Sequence, residues 1–151
     1  KKMGAKLKVN KNSIKVFKGS KLKSTSLSTS PYPGFPTDLQ AQLMSLMCLS
    51  DGKSKIKETI FENRFMHVPE LNRLGANITV EKDTATIIGN QTFKGAQVMA
   101  SDLRASISLV LAAMNANGQT TLNRVYHLDR GYENIEKTLG SLGAKIKRQK
   151  N

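Results

Sequence analysis

The stretch TDLQAQLMSLMCLSDGKSKI (residues 37–56) decides the fold, because a second version of it, SDLRASISLVLAAMNANGQTTL (residues 101–122), follows later in the chain. Each version has an acidic residue near its start, then an apolar run, then a turn signal, Asp51-Gly52 or Asn117-Gly118. Helices that are apolar on nearly every side are buried. The two stretches therefore predict two buried helices of the same kind.

A polar residue stands at the start of each predicted helix, Thr37 in the first and Ser101 in the second. Such residues cap helices by accepting hydrogen bonds from unpaired backbone N–H groups. Gln40 lies three residues after Thr37, the spacing of a capping box. We therefore expect both helices to begin at these polar residues.

A second pair of similar stretches, ENRFMHVPELNRLGANITVEKD (residues 62–83) and LDRGYENIEKTLGSLGAKIKRQK (residues 128–150), follows the two helices. Each predicts a short helix that ends at a Leu-Gly-Ala triplet, and Pro69 favours a helix start in the first. Turn and strand patterns elsewhere predict strands and hairpin turns. The strands are KIKETIF (55–61) and TTLNRVYH (120–127), and the turns are Lys82-Asp83 and Lys11-Asn12.

These repeats divide the chain into the tail of one unit (1–36), one complete unit (37–100) and most of the next (101–151). Buried helices combined with amphipathic strands indicate an α/β (α+β) fold. A barrel-like domain with helices inside and sheets outside accommodates both kinds of element. At 151 residues, the chain is long enough to bury a real core.

The net charge of +13 raises the question of nucleic-acid binding. Nine lysines and no acidic residue fall within residues 1–37, whereas the rest of the chain is nearly balanced. Those lysines largely alternate with apolar residues, which is typical of a strand with a solvated outer face. Only Phe17 and Tyr32 among the first 34 residues are aromatic, so a base-stacking surface is disfavoured.

Composition also disfavours several other classes. We expect no membrane span, because no apolar run is long enough, and no signal peptide, because no apolar stretch follows the basic first residues. Cys48 is the single cysteine, which fits a reducing compartment, and with His67 and His127 it offers too few ligands for structural zinc. We interpret Cys48 as a buried thiol and both histidines as structural.

Three arginines, Arg64, Arg104 and Arg130, lie near predicted helix starts. The positive end of the helix dipole disfavours a cation there by roughly 0.3–1 kcal/mol. Helix N-termini bind anions, and guanidinium groups bind carboxylates and phosphates through paired hydrogen bonds. An anionic ligand shared by these positions would explain the arrangement, whereas Asp38 is electrostatically favourable at a helix start by itself.

Four stretches carry a resemblance to a known family, and the similarity extends from residue 3 to the C-terminus: PTDLQAQ, FENRFMHVPELNRLGA, GAQVMASDLRASISLVLA and YHLDRGYENIEKTLGSLGA. They resemble UDP-N-acetylglucosamine enolpyruvyl transferases (1-carboxyvinyltransferases). The resemblance implies a bacterial, cytoplasmic enzyme of two inside-out α/β barrels with the active site between them. It implies transfer of the enolpyruvyl group of phosphoenolpyruvate to the sugar 3-hydroxyl, with release of phosphate, in peptidoglycan synthesis. No cofactor, metal, nucleic acid or membrane is implied.

The resemblance also implies roles for individual residues. Asp38 would be the general base that accepts the proton of the sugar 3-hydroxyl. Ile60, through its backbone, and Phe61, through packing, would contact the uridine end. Fixed guanidinium groups stabilise charge that shifts during reaction, which fits Arg64, Arg104 and Arg130 lining the phosphoenolpyruvate region. Asp102 would orient neighbouring groups in the cleft.

By the same resemblance, the chain is the C-terminal part of one domain, and the missing N-terminal portion supplies a loop cysteine and further basic ligands. We therefore expect the chain alone to be inactive and Cys48 not to be that cysteine. Two alternatives remain. One is the sister shikimate-pathway enzyme, 3-phosphoshikimate 1-carboxyvinyltransferase, although the match at the uridine-side residues favours the amino-sugar enzyme. The other is a non-catalytic basic module that binds nucleic acid or another anionic polymer.

Overall fold

The computed structural model of the protein describes residues 1–17 and 21–149. The strands are β1 (Leu7–Asn10), β2 (Ser13–Val16), β3 (Ser26–Ser28), β4 (Lys53–Lys57), β5 (Asn77–Glu81), β6 (Thr84–Ile88), β7 (Gln97–Met99) and β8 (Thr121–Asn123). The α-helices are α1 (Gln40–Cys48), α2 (Val68–Arg73), α3 (Leu103–Ala113), α4 (Tyr126–Asp129) and α5 (Ile135–Ser141). A short 3-10 helix, Thr37–Leu39, leads into α1.

Helices α1 and α3 form the centre of the molecule, as their apolar sequences predict. Met44 and Met47 of α1 are fully buried, and Leu109 of α3 is 1% exposed. The Ser45 hydroxyl of α1 donates to the Ser108 carbonyl of α3 at 2.9 Å, whereas the buried side-chain amide of Gln40 has no hydrogen-bond partner among the described residues. The two helices are therefore buried on nearly every side.

Sheets cover the helices from outside. The largest has the order β3-β4-β6-β5, in which β3 and β4 are parallel and the other pairs antiparallel. Its inner face contributes Ile56, Ile78 and Ile87 to the core. Strands β7 and β8 form a parallel pair, and β1 and β2 an antiparallel hairpin. The α/β architecture with helices inside and sheets outside is confirmed.

The predicted helix caps are wrong. The N-cap of α1 is Leu39 and makes no side-chain capping bond, while Gln40 is buried in the interior. Thr37 lies in the 3-10 helix, two residues before the N-cap of α1, and its hydroxyl donates to the buried Glu58 carboxylate at 2.9 Å. At α3 the cap is Asp102 rather than Ser101, since a carboxylate accepts N–H groups well at a helix N-terminus.

The predicted turns and helix ends are confirmed, but both predicted strands are shorter than expected. The segment 55–61 is a strand only as far as Lys57, where β4 ends. Hairpins join β1 to β2 at Lys11-Asn12 and β5 to β6 at Lys82-Asp83. Gly75 ends the α2 segment with a φ of +97°, a conformation that favours glycine. The segment 120–127 is a strand only at β8, because Arg124 adopts a φ of +58° and α4 follows.

The lysine-rich start of the chain is a strand hairpin, as its alternation predicts. Lys8 lies opposite Lys15, and Val9 lies opposite Ile14. Both faces of this hairpin are accessible, since Val9 is 59% and Ile14 66% exposed. Thus the apolar face of the hairpin is not covered by any part of the chain that the structure describes. Within those same residues, no helix is long and apolar enough to cross a bilayer.

Candidate functional site

A carboxylate held by two guanidinium groups forms the centre of the site. Asp38, in the 3-10 helix before α1, accepts hydrogen bonds from Arg64 Nη2 at 3.0 Å and Arg104 Nε at 2.9 Å. Both contacts go to the same carboxylate oxygen, Oδ1. The three residues come from three separate segments, so the packing of α1 against α3 and the turn before α2 creates the cluster.

Electrostatics keep this carboxylate ionised. The hydrogen bond from Arg104 lowers the pKa of Asp38 more than its partial burial raises it, and the charges of Arg104 and Arg64 lower it further. Reciprocally, the bond to Asp38 raises the pKa of Arg104. The Asp38 side chain is 57% exposed, so solvent and salt screen these interactions. The cluster is therefore accessible to an incoming ligand while it stays charged.

Asp102 fixes the start of α3 and with it the position of Arg104. Its Oδ1 accepts the Arg104 amide at 2.7 Å and the Ala105 amide at 3.0 Å. Such a charged cap satisfies unpaired N–H groups and complements the helix dipole. Arg104 is the second residue of α3, so Asp102 holds the backbone from which this guanidinium reaches Asp38.

An open cleft of about 890 Å³ lies beside the cluster. The segment from Lys57 to Met66 forms one side of it, and Val80, Lys82 and Asp83 of the β5–β6 hairpin line the other. Ile60 and Phe61 face this cleft and are 38% and 53% exposed. The Arg64 guanidinium carbon lies 4.9 Å from the centre of the Phe61 ring, within range of a cation–π interaction. One apolar ring and one cation thus share the cleft edge next to Asp38.

Sequence reasoning missed Glu58. Its carboxylate is buried, with the residue 4% exposed, and accepts hydrogen bonds from Thr29 Oγ1, Thr37 Oγ1 and the amides of Ile60 and Phe61. A signal was available, because Ser54 and Ile56 of β4 face inward and Glu58 follows in the same alternation. An acidic residue on the buried side of a strand is rare unless it is paired or hydrogen-bonded.

Two of the three arginines lie near helix starts, as predicted, and one does not. Arg104 lies at the start of α3 and Arg64 in the turn before α2, whereas Arg130 is the C-cap of α4. Asp38 supplies the negative charge that the sequence pattern led us to expect from a ligand. Arg130 is exposed and, among the described residues, is not a partner of Asp38. The residue after it, Gly131, packs against Leu103 so closely that a Cβ would meet that side chain at 2.9 Å.

Of the remaining candidates, Cys48 and His67 are buried and His127 is partly buried. Cys48 is fully buried, which confirms that interpretation, and burial raises the pKa of its thiol to about 12. His67 is 2% exposed, and burial, opposed by Asp102 and reinforced by Arg64, lowers its pKa to about 4. Over residues 1–17 and 21–149, no group of three or more His, Cys, Asp and Glu side chains is placed to hold a metal ion.

Comparison with known proteins finds relatives over nearly the whole chain. Two curated relatives, both named UDP-N-acetylglucosamine 1-carboxyvinyltransferase, come from Pelagibacter ubique and Xylella fastidiosa. The first is 58% identical over 98% of this chain and 36% of its own length. The second is 58% identical over 96% of this chain and 34% of its own length. The chain therefore spans about a third of the length of the curated relatives it matches.

Solved structures show the same fold. The enolpyruvyl transferase NikO from Streptomyces tendae matches this chain with a TM-score of 0.90 and 32% sequence identity. The match covers 97% of this chain and 34% of the NikO chain. An EPSP synthase from Acinetobacter baumannii matches 99% of this chain and 35% of its own with a TM-score of 0.71 at 19% identity, a likeness of fold alone.

The fold is that of the enolpyruvyl transferases, and the arginine-bound carboxylate lies beside an open cleft in it. The sequence profile of EPSP synthase (3-phosphoshikimate 1-carboxyvinyltransferase) matches residues 1–139. The chain belongs to that family.

Proposed function

We propose that this chain is part of a UDP-N-acetylglucosamine 1-carboxyvinyltransferase. That enzyme transfers the enolpyruvyl group of phosphoenolpyruvate to the 3-hydroxyl of UDP-N-acetylglucosamine and releases phosphate, in the bacterial cytoplasm. The observation that carries the proposal is the ionised Asp38 carboxylate held between Arg64 and Arg104 beside an open cleft. The names of the relatives at 58% identity support the choice of substrate.

The unequal use of the two Asp38 oxygens suits a general base. Both guanidinium groups bind Oδ1, and among the described residues no hydrogen bond reaches Oδ2. A carboxylate offers about four lone-pair sites, so Oδ2 can accept the hydroxyl proton while Oδ1 stays bound. A base within hydrogen-bond reach of the proton is the first requirement of such catalysis.

In the proposed reaction, the sugar oxygen bonds to C2 of phosphoenolpyruvate as Asp38 takes the hydroxyl proton. C3 gains a proton from a group outside this chain, which gives a tetrahedral intermediate. The bond from C2 to the phosphate oxygen then breaks, C3 returns its proton to the group that supplied it and the double bond forms again, while the leaving phosphate takes up the proton held by Asp38. Arg64 and Arg104 would oppose the negative charge of the substrate carboxylate and phosphate without reorganising.

The other site residues have supporting rather than chemical roles in this proposal. The amide of Ile60 is already bound to Glu58, so its backbone would contact the uridine end through the carbonyl oxygen. Phe61 would pack against that end of the substrate. Asp102 would hold Arg104 in place, and Arg130 would add a further cation near the phosphoenolpyruvate.

We further propose that the chain is the C-terminal part of one domain, with residues 1–36, 37–100 and 101–151 as successive pieces of repeats. The remainder of a longer enzyme would supply the other domain. Two observations support this organisation. The chain spans about a third of the length of its relatives. The apolar residues Val9 and Ile14 are more than half exposed, as expected if another part of the enzyme packs against this hairpin.

The test is an assay of the full-length protein that contains this chain. Phosphate release from phosphoenolpyruvate is measured with UDP-N-acetylglucosamine and, separately, with shikimate 3-phosphate. We expect phosphate release with UDP-N-acetylglucosamine as the acceptor and none with shikimate 3-phosphate. The opposite result would favour the sister enzyme. Absence of turnover with both, together with salt-sensitive binding to a nucleic-acid duplex, would favour the basic module.

A further inference from the structure

The Glu58 carboxylate connects two segments of the site that are distant in sequence. Oε1 accepts the amides of Ile60 at 2.9 Å and Phe61 at 3.3 Å, in the segment that lines the cleft. Oε2 accepts the Thr37 hydroxyl at 2.9 Å, and Thr37 immediately precedes Asp38. Because each oxygen serves a different segment, the carboxylate fixes the distance between them.

Glu58 is ionised despite its burial. Burial by itself would raise the pKa of Glu58, but the hydrogen bonds from Thr29, Ile60, Thr37 and Phe61 outweigh it and hold the pKa below its usual value. A buried carboxylate without a cation is tolerated only where such donors surround it. Within residues 1–17 and 21–149, no lysine or arginine pairs with it.

Thr29 reinforces the same junction from the residue after β3. Its hydroxyl donates to Glu58 Oε1 at 2.7 Å and accepts the Thr59 amide at 2.9 Å. The Thr59 hydroxyl in turn donates to the Thr29 carbonyl at 2.6 Å. Thr29 is 1% and Glu58 4% exposed, so the bond between these two side chains is buried, although Glu58 and Thr59 belong to the segment that lines the cleft. Fully satisfied buried networks of this kind rigidify the segments that they join.

We propose that Glu58 is a positioning residue that holds Asp38 in register with the Ile60–Phe61 segment of the cleft. The inference rests on the proposed function. The Glu58 carboxylate is occupied by the chain's own donors, so it acts through Thr37 on the base and through two amides on the substrate-binding segment. Its two oxygens therefore have separable effects on turnover and on substrate affinity.

The experiment uses the full-length protein, after its turnover of phosphoenolpyruvate with UDP-N-acetylglucosamine has been established. Thr37→Val removes only the bond that leads to Asp38. We expect kcat to fall about tenfold with the KM for the sugar nucleotide nearly unchanged, because small misplacements of reacting groups are costly. Glu58→Ala removes both connections, so kcat should fall by about a hundredfold and that KM should rise as well.

Two further variants separate positioning from mere stability. Glu58→Gln keeps the shape and most hydrogen bonds, so it should retain activity within about tenfold of the wild type. Asn72→Ala is the matched control, because Asn72 also joins two segments through bonds to both backbone groups of Ile78, outside the site. It should lower the melting temperature and leave kcat and KM unchanged.

Several results would overturn the inference. Wild-type kcat in Thr37→Val would show that the bond to Thr37 does not position the base. Equal losses of activity in Glu58→Ala and Asn72→Ala, in proportion to their melting temperatures, would reduce Glu58 to a structural role. If Glu58→Ala does not fold, the kcat and KM values of Thr37→Val and Glu58→Gln still test whether Glu58 positions the site. Absence of turnover in the wild type would contradict the proposed function instead, which keeps the two failures distinct.

Discussion

Asp38 and Arg104 are 66 residues apart in the chain, yet the guanidinium Nε of Arg104 lies 2.9 Å from Oδ1 of Asp38. Arg64, 26 residues from Asp38, reaches the same oxygen at 3.0 Å. This shared contact joins the segments before α1 and α2 to the start of α3. It also sets the charge state of the carboxylate, from which the first two predictions follow.

Removal of Arg104 should raise the pKa of Asp38 more than removal of Arg64. The hydrogen bond from Arg104 is the largest influence that lowers this pKa, whereas Arg64 contributes less. Carboxyl ¹³C titration of the Arg104→Ala and Arg64→Ala variants measures both shifts, and the acid limb of kcat in the full-length protein should move upward in the same order. Equal pKa values in the two variants and the wild type would contradict the arrangement.

Asp38→Asn should lower kcat by roughly 10²–10⁴-fold, the usual contribution of a general base. The KM for the sugar nucleotide should change little, since an amide oxygen still accepts the hydroxyl. The matched control is Asp51→Asn, which breaks an exposed ion pair with Lys21 at 2.9 Å outside the site. Steady-state kinetics on both variants check this, and comparable losses in the two would argue against a role for Asp38 as base.

Phe61→Ala should weaken sugar-nucleotide binding without destabilising the fold. Phe61 is 53% exposed at the cleft edge, so its loss removes little buried apolar area, but it removes the ring beside Arg64. Stacking and cation–π contacts of this kind contribute about 1–2 kcal/mol, so KM should rise roughly tenfold. Tyr32→Ala, at 97% exposure, is the control. An unchanged KM in Phe61→Ala would exclude the ring from the substrate site.

The two central helices could be predicted from the sequence, but the contacts of the site could not. An apolar run is a property of one segment, so α1 and α3 are recognisable from their own residues. The bond from Arg104 to Asp38 depends on how those helices pack, and no local pattern encodes that. Resemblance to a family pointed to both residues, although it did not predict that Asp38 itself neutralises the arginines.

Glu58 and Thr37 illustrate a different limit. Thr37 has the spacing of a helix cap to Gln40, and local rules therefore assign its hydroxyl to the helix. In the folded chain that hydroxyl makes no capping bond to α1 and instead donates to a buried carboxylate 21 residues away. Tertiary structure decides which partner orients the hydroxyl. The alternation of β4 pointed to an inward Glu58, yet only the folded chain brings its four donors together.

Cys48 should be inert to thiol reagents in the folded chain. Burial raises the pKa of its thiol to about 12, so little of the reactive thiolate forms near neutral pH. The residue is also fully buried, so a reagent cannot reach the sulfur. At pH 8 a folded sample should react with a disulfide reagent at least about a hundredfold more slowly than one unfolded in guanidinium chloride. Equal rates in the folded and unfolded samples would contradict the burial of this helix.

His67 should make the stability of the chain depend on pH. Burial, opposed by Asp102, lowers the pKa of His67 in the folded protein to about 4, whereas the unfolded chain has the ordinary value of about 6.5. Between these values the unfolded state binds the proton and the folded state does not. The stabilisation is therefore complete above about pH 6.5 and is lost as the pH falls toward 4.

Denaturant unfolding of the wild type and of His67→Gln at several pH values measures this effect. The variant lacks the titrating group, so the difference in free energy of unfolding between the two proteins should shift by about 3 kcal/mol from pH 7 to pH 4, against the wild type. The other titrating groups of the chain contribute equally to both proteins, so their effect cancels in the difference. Parallel curves for the two proteins would show that His67 is solvated and protonates normally in the folded state.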